Sequence, residues 1–254
     1  MSLIEKIFTN GIVGDYFLNG SNKSTLGLVL FIISVAVVII AAYLLGSINF
    51  AIIISGKKYK QDIRDHGSKN AGMTNMMRTY GKKAAGLTLL GDALKAVAAC
   101  LVGYVLIGAE GAYIAGLFCI LGHIFPIFYR FKGGKGVVTT AVAILMCNPI
   151  VFVVLFLLFV IIVLFTRYIS LGSVVCVLLY PLLLDRISRS PLFLGRPTHY
   201  VLYAMITAVV VVVKHWGNIK RLAAGKESKF SFKKSVKAPE EKTEQPKEEN
   251  KEDK

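Results

Sequence analysis

The stretch that decides the fold is Leu26–Gly46, LGLVLFIISVAVVIIAAYLLG, which contains no charged residue. A helix rises about 1.5 Å per residue, so about 20 apolar residues cross the hydrocarbon core of a bilayer. The run is too long for a secretory signal peptide and lacks a small-residue cleavage site. Its backbone groups bond internally as a helix, as lipid requires. The stretch therefore predicts a membrane-spanning helix.

Similar apolar runs recur outward from this one. The 254 residues are 55% hydrophobic with a mean hydropathy of +0.62, which is too apolar for an ordinary soluble domain. The pair Asn148-Pro149 separates two of the runs and predicts a turn. We expect an all-α polytopic membrane protein with about seven transmembrane helices, at residues 25–46, 84–107, 112–129, 137–147, 149–165, 170–184 and 199–214.

The distribution of charge predicts the orientation. There are 30 Lys and Arg against 15 Asp and Glu, a net charge of +15. With seven spans, the basic loops at 55–83, 130–136 and 166–169 share one side with the basic region after Lys214, which predicts a cytoplasmic C-terminus and an external N-terminus. The segment 185–198 does not fit this orientation, because its arginines would lie on the external side. A single helix over 137–165 would reduce the count to six and break this assignment.

The ends of the chain differ in composition from the apolar middle. Residues 1–24 are interpreted as an N-terminal extension and residues 25–225 as the transmembrane domain. Residues 226–254 are charged, contain Pro and lack apolar periodicity, so we expect a disordered cytoplasmic tail. The four cysteines lie in apolar segments without metal-ligand spacing, and neither a metal nor a cofactor is expected. Nucleic acid is not an expected partner, because the basic residues sit in loops between spans.

Residues 62–78, DIRDHGSKNAGMTNMMR, form the first polar cluster between spans. A loop with two arginines and several glycines, hydroxyls and amides can wrap an anion with backbone N–H groups and a guanidinium fork. A plain surface loop would also favour Gly, Ser and Asn. The combination favours an anion site, and its candidate residues are Arg64, Ser68, Asn70, Thr74, Asn75 and Arg78.

The second cluster contains GHIFP at 122–126 and FKGGKGV at 131–137. Gly133, Gly134 and Gly136 surround Lys135 and permit close backbone approach to a ligand. The helix predicted to start next would offer free N–H groups and a positive dipole end to a phosphate. The spacing is not that of a Walker A loop. A tight basic turn is the alternative.

Three smaller features complete the polar set. Ser170 and Ser173 lie at the start of a predicted span, where helix packing or capping is the alternative to a role in the site. His215 and Asn218 share a helical face at i, i+3, beside Trp216, whose neighbourhood is also typical of interfacial anchoring. Asp92 and Lys95 are i, i+3 inside an apolar span, which predicts a paired or functional role.

Together these motifs resemble the acyl-phosphate:glycerol-3-phosphate acyltransferase family of bacterial membranes. They occur in the family's order over residues 40–225. The chain departs from the family at Asn49, Lys69 and Ala71, where Pro, Gly and Pro are usual. The residues that carry the resemblance are GSINF (46–50), the stretch 62–86, GDALKA (91–96), GHIFPIFYRFKGGKGVVTT (122–140), TRYISLGS (166–173) and HWGNIKRL (215–222).

The resemblance implies an enzyme of phospholipid biosynthesis. It would transfer a fatty acyl group from acyl phosphate to the 1-position hydroxyl of glycerol 3-phosphate, giving lysophosphatidic acid and phosphate, without acyl-CoA or acyl carrier protein as direct donor. It implies a multi-pass protein of the bacterial inner membrane whose site faces the cytoplasm. The implied partners are the two substrates, membrane lipids and, as an open possibility, the enzyme that makes acyl phosphate. A transporter for a phosphorylated or anionic solute is the alternative, although no repeat relates the two halves.

The resemblance also suggests roles for the candidate residues. Acyl phosphate needs mostly positioning and charge neutralisation, because it is already a reactive mixed anhydride. His215 is a candidate general base, although a substrate phosphate oxygen could serve instead. A covalent acyl-serine is disfavoured, because no G-x-S-x-G elbow is present. The expected catalytic residues are His215, Asn218, Ser68 and Ser173, and the expected phosphate-binding residues are Arg64, Asn70, Thr74, Asn75, Arg78, Lys135, Gly133, Gly134, Gly136 and Ser170.

Overall fold

The computed structural model describes residues 10–13, 25–189 and 200–230. From Thr25 onward the described elements are ten α-helices and two short 3-10 turns, at Ile63–Asp65 and Ile127–Tyr129. The helices are α1 Thr25–Ser47, α2 Phe50–Tyr59, α3 Met73–Tyr80, α4 Lys82–Ile107, α5 Ala109–Ile124, α6 Val137–Cys147, α7 Pro149–Thr166, α8 Ile169–Ser188, α9 Tyr200–Lys214 and α10 Trp216–Ala223.

Several of these helices are long and apolar enough to cross a membrane. Among the described residues there are five such candidates, and the pair α9 and α10, bent by 60°, makes a sixth if it is taken as one span. This confirms the all-α membrane class. Helix α6 has 11 residues and is about 16 Å long, which is too short to cross alone. The five are Thr25–Tyr59, Lys82–Ile107, Ala109–Tyr129, Pro149–Thr166 and Ile169–Ser188.

Helices α4 and α5 form a hairpin with a one-residue turn. Gly108 makes the turn with φ of 71°, a left-handed conformation that glycine adopts without steric cost. The two helices touch at Gly103 and Gly111, because a Cβ on Gly103 would lie 2.1 Å from the Gly111 carbonyl oxygen. The predicted loop at 108–111 is therefore a single residue, and α5 begins at Ala109.

Hydrogen bonds hold both ends of the short helix α6 in place. At its start, Gly134 N–H donates to the carbonyl of His123, so the preceding loop enters the bundle beside α5. At its end, the Tyr104 hydroxyl donates to the carbonyl of Met146 at 2.7 Å, near the last turn of α4. Asn148 then caps α7 by accepting from Val151 N–H, as the predicted turn requires. Helix α6 thus completes a path from the α5 C-terminus to the α4 C-terminus.

The bundle has two ends. Ser47, Lys82, Ile124 and Val137 mark what we call the basic end, and Thr25, Ile107, Ala109 and Cys147 mark the far end. The loops at 60–72 and 130–136 lie at the basic end. At the far end the rings of Tyr113 and Tyr200 stack with centroids 4.2 Å apart, and the Tyr203 hydroxyl donates to Glu110.

Residues 226–230, the first five residues of the predicted tail, contact the bundle. Phe230 N–H donates to the carbonyl of Arg167 at 2.7 Å, and the Phe230 ring packs against the cluster that contains Met77 and Ala84. These five residues, here called the covering segment, therefore lie over the basic end. The rest of that tail and most of the predicted N-terminal extension lie outside the described residues.

Candidate active site

Asn75 organises the loop that precedes α3. Its side chain is 1% exposed. Its Oδ1 accepts from Ser68 N–H at 2.8 Å, and its Nδ2 donates to the carbonyls of Ile63, His66 and Asn70. The amide thereby uses its hydrogen-bonding capacity within the protein. Asn75 shapes the segment 66–72, here called the serine loop, while Ser68 at its tip is exposed.

Arg64 joins the serine loop to the next loop. Its guanidinium pairs with Asp62 and also donates to the carbonyls of Tyr129 and Lys132 at 3.1 and 3.2 Å. The hydrogen bonds from Arg64 lower the pKa of the Asp62 carboxyl below its ordinary 3.8. With these partners in place, Arg64 acts as a brace between two loops in this structure.

The second loop, residues 130–136, is here called the lysine loop. A Cβ on Gly133 would lie 2.1 Å from the His123 carbonyl oxygen, and one on Gly134 would lie 2.2 Å from His123 Nε2. Gly136 has φ of 78° and occupies the N-cap of α6. The three glycines therefore allow the loop to press onto α5 and turn into α6. The prediction of a helix starting at Val137 is confirmed.

Lys135 lies in a cluster of hydrogen-bonding groups at the basic end. Its Nζ donates to Asn218 Oδ1 at 2.6 Å, and Asn218 Nδ2 donates to Glu227 Oε1 at 2.6 Å. Ser170 Oγ donates to the same Glu227 oxygen at 2.8 Å, and Arg221 pairs with the other one. We call Lys135, Asn218, Ser170, Arg221 and Glu227 the outer cluster.

Electrostatics make the outer cluster suitable for an anion. Burial lowers the pKa of Lys135 to about 8 from an ordinary 10.5, with further repulsion from nearby cations that include Arg221 and Arg78 and with opposition from Glu227. Burial alone would raise the pKa of Glu227, but hydrogen bonds from Asn218, Ser170 and Arg221 lower it. An anion beside Lys135 would therefore relieve repulsion among cations.

His215 lies one turn from Asn218. Its side chain is buried, and Nδ1 lies 2.8 Å from the carbonyl oxygen of Val211. A carbonyl can only accept, so the proton of a neutral ring is on Nδ1, and Nε2 is the nitrogen able to take a proton. Asn218 N–H donates to the His215 carbonyl, which fixes the two residues relative to each other.

The structure brings together some predicted residues and separates others. Lys135, Asn218 and Ser170 meet directly, and the Arg78 guanidinium reaches the carbonyl of Ser228 in the covering segment at 3.5 Å. Ser173 instead donates to the carbonyl of Ile169 in its own helix. Asn70 and Thr74 lie half-buried on the serine loop and at the start of α3.

Sequence reasoning missed Glu227, and it did not place Arg221 among the site residues. Glu227 fell in the charged segment assigned to the tail, and its side chain is 7% exposed. Its position two residues after Gly225, close behind the HWGNIKRL motif, was the available signal. Among the described residues, no group of three or more His, Cys, Asp or Glu side chains is placed to hold a metal ion.

Comparisons with known proteins agree on one family. The model of the glycerol-3-phosphate acyltransferase family matches residues 36–225. A glycerol-3-phosphate acyltransferase of Finegoldia magna is 40% identical over 192 residues, covering 75% of this chain and 93% of that protein. One of Syntrophomonas wolfei is 41% identical over 202 residues, covering 78% of this chain and 98% of that protein.

Two crystal structures of PlsY (YgiH), an integral membrane glycerol 3-phosphate acyltransferase, also resemble this chain. The glycerol 3-phosphate form has a TM-score of 0.70 and the lysophosphatidic acid form 0.68, each at 34% identity over 78% of this chain and 96% of that one. The match of sequence and fold over the same bundle confirms the resemblance noted in the motifs. The chain belongs to the glycerol-3-phosphate acyltransferase family.

Proposed function

We propose that this chain transfers a fatty acyl group from acyl phosphate to the 1-position hydroxyl of glycerol 3-phosphate. The hydroxyl oxygen attacks the acyl carbon, the bond from that carbon to the phosphate oxygen breaks, and phosphate leaves. The products are lysophosphatidic acid and inorganic phosphate. The observation that carries the proposal is the outer cluster, where Lys135 of the lysine loop donates to Asn218 of α10.

Each loop handles one phosphate in this proposal. The exposed tip of the serine loop, with Ser68 and Asn70, and the first turns of α3, with Thr74 and Arg78, would receive acyl phosphate. Lys135 and Ser170 would bind the phosphate of glycerol 3-phosphate. Asn75 and the three glycines would hold the loops in shape through the contacts described above. Both substrates are anions, and the cations near Lys135, which are Arg78, Arg221 and Lys214, support the binding of an anion there.

His215 and Asn218 would act on the attacking hydroxyl. His215 Nε2 would take the proton, and Asn218 would orient the hydroxyl. A substrate phosphate oxygen is the competing base, and a His215→Gln variant that keeps most of its kcat would favour it. Ser173, bonded within its own helix, would contribute less than Ser170. Catalysis here consists of orientation and neutralisation of charge, since the donor is already activated.

We also propose seven crossings, with the N-terminus outside and the basic end in the cytoplasm of a bacterial inner membrane. Helix α6 would form the fourth crossing, from the lysine loop at the basic end to Asn148 at the far end. The basic loops at 55–83, 130–136 and 166–169 lie at one end of the bundle, and Lys and Arg favour the cytoplasmic side. Arg186 and Arg189 lie at the other end and do not fit this orientation. A reporter fused after Lys254 should read as cytoplasmic. A reporter at Gly108 should read as external, and a cytoplasmic reading there would refute the model.

The deciding experiment uses purified full-length protein in lipid nanodiscs. Acyl phosphate with glycerol 3-phosphate should give lysophosphatidic acid, and acyl-CoA should give none. Equal activity with acyl-CoA, or no product from acyl phosphate, would refute the proposal. Uptake of labelled glycerol 3-phosphate into proteoliposomes without acylation would instead favour the transporter.

A further inference from the structure

A second buried polar cluster lies among the membrane helices beneath the two loops. Lys95 and Asp92 of α4 have side chains 2% exposed, and the Lys95 Nζ lies 2.9 Å from Asp92 Oδ1. Nζ also lies 2.9 Å from Nδ1 of His123 on α5. We call Asp92, Lys95 and His123 the inner cluster. It is sealed from solvent, so no substrate phosphate can be its partner.

The Lys95 ammonium also holds the break between α1 and α2. Nζ donates to the carbonyl of Gly46 at 2.9 Å and to that of Ile48 at 2.5 Å. Since an ammonium can only donate, His123 Nδ1 must accept from it, which places the proton of the ring on Nε2. One charged group thereby fixes two backbone carbonyls and the tautomer of a histidine.

The break between α1 and α2 positions the serine loop. Asn49, which follows Ile48, caps α2 by accepting from Ile52 N–H at 3.1 Å. Its Nδ2 donates to the carbonyl of Ala71, at the end of the serine loop. Both Asn49 and Ala71 are fully buried. A displacement of the break would therefore move the serine loop.

His123 carries the lysine loop. Its carbonyl accepts from Gly134 N–H at 3.1 Å, and its ring leaves no room for a side chain at Gly134. The same Gly134 packs on the Ala71 carbonyl, since a Cβ there would lie 2.6 Å from that oxygen. The two loops therefore meet at Gly134, and each is tied to Lys95 by a separate path.

We infer that Asp92, Lys95 and His123 are positioning residues that fix the serine loop and the lysine loop at the separation the reaction requires. A buried ion pair is often no more stabilising than apolar side chains of similar volume, so stability alone gives little reason for it. Positioning gives a direct reason, because a shift of about 1 Å can cost about a hundredfold in rate. The inference rests on the proposed acyltransfer.

The test uses full-length protein in nanodiscs with acyl phosphate and glycerol 3-phosphate. The double variant Asp92→Asn/Lys95→Met removes both charges and leaves neither unpaired. We expect a loss of about 30-fold or more in kcat/KM. Thr88→Val is the matched control, because Thr88 is buried one turn earlier in α4 and bonds only to Ala84 of its own helix. It should stay within about threefold of wild type.

Coupling to Lys135 separates positioning from general stability. If the inner cluster acts through the lysine loop, the double variant should cost less than about threefold once Lys135→Ala is present. A purely structural role predicts additive losses that follow the melting temperature. As a check that avoids changing the ion pair, His123→Asn keeps an acceptor near Nδ1 and should retain at least about tenfold more activity than His123→Leu.

The outcomes distinguish the two claims. A wild-type protein that makes no lysophosphatidic acid from acyl phosphate and glycerol 3-phosphate would overturn the proposed function. An active wild type with a double variant within threefold of it, with additive losses, or with equal His123→Asn and His123→Leu would overturn this inference alone. If the double variant does not fold, the comparison of His123→Asn with His123→Leu tests the inference.

Discussion

Lys135 and Lys95 are both lysines held among hydrogen-bonding groups, and the difference between them shows which lysine can bind a substrate. Lys95 has an acid, two carbonyls and a histidine around its ammonium, and its side chain is 2% exposed. Lys135 donates to one amide oxygen, and it sits where a loop and a covering segment meet. The ammonium of Lys95 is saturated by the protein, whereas that of Lys135 has donors left for a ligand.

Loss of the Lys135 ammonium is the strongest test of this difference. An ionic hydrogen bond contributes about 1.5–3 kcal/mol, so Lys135→Ala should lose about ten- to several-hundred-fold in kcat/KM. The protein should still insert and fold. Lys135→Arg should be partly active, because a planar fork must fit between glycines. The measurement is steady-state acyltransfer on variants matched for membrane level.

Lys132→Ala is the matched control for that experiment. Lys132 lies in the same loop with an exposed side chain, and its hydrogen bonds are made by its backbone: the N–H donates to Tyr129 and the carbonyl accepts from Arg64. It should remain close to wild type. Wild-type kinetics for Lys135→Ala would mean that Lys135 only follows the positive-inside rule, and the contrast with Lys95 would then be lost.

The pH dependence should show the next largest effect. The pKa of Lys135 is lowered to about 8, so the active ammonium is present below that pH and is lost as pH rises through it. We expect kcat/KM to fall about 15-fold between pH 8 and 9.5. Bound phosphate raises the pKa of the lysine, so kcat should decline at higher pH than kcat/KM. If the alkaline limb of the pH profile is unchanged in Lys135→Arg, that limb belongs to a group other than Lys135.

Glu227 should have a smaller effect with a specific signature. In Glu227→Gln the amide can still accept from Asn218 and Ser170, but the charge opposite Arg221 is gone, so we expect a loss of about threefold to tenfold in kcat/KM. Because Glu227 raises the pKa of Lys135, its neutralisation should move the alkaline limb to lower pH. Paired pH profiles of the two proteins test this, and a limb that moves upward would contradict it.

The two serines of α8 give the smallest expected difference. Ser170 bonds to the Glu227 carboxylate, whereas Ser173 bonds to the carbonyl of Ile169. Ser170→Ala should therefore cost about fivefold in kcat/KM and Ser173→Ala less than about twofold. The KM for glycerol 3-phosphate is the informative constant. A larger effect at Ser173 would instead favour the catalytic role expected for Ser173 from the motif.

The sequence predicted features that depend on local spacing. The apolar runs, the turn at Asn148 and the helix start at Val137 all follow from periodicity and turn chemistry, and the structure contains them. The i, i+3 pairing of Asp92 with Lys95 was also predictable, because both residues lie on one helix. The family followed from motifs that recur in order.

Features that depend on tertiary contacts were not predictable. His123 completes the inner cluster from a different helix, and no spacing in the sequence indicates that it lies beside Asp92 and Lys95. Glu227 lies in a charged segment whose composition is typical of disorder, yet Phe230 and the donors of the outer cluster hold that segment in place. Helix α3, within the predicted loop at 55–83, and helix α2, which begins at Phe50 and overlaps the start of that loop, were missed for the same reason.

The one-residue turn at Gly108 has a consequence for the spacing of α4 and α5. Because a single residue joins the two helices, and a Cβ on Gly103 would lie 2.1 Å from the Gly111 carbonyl oxygen, they are held in close contact from the turn inward. Asp92 and Lys95 lie on α4 and His123 lies on α5, so this hairpin brings the three side chains together. A side chain introduced at Gly103 should therefore push the two helices apart and disturb the ion pair as well.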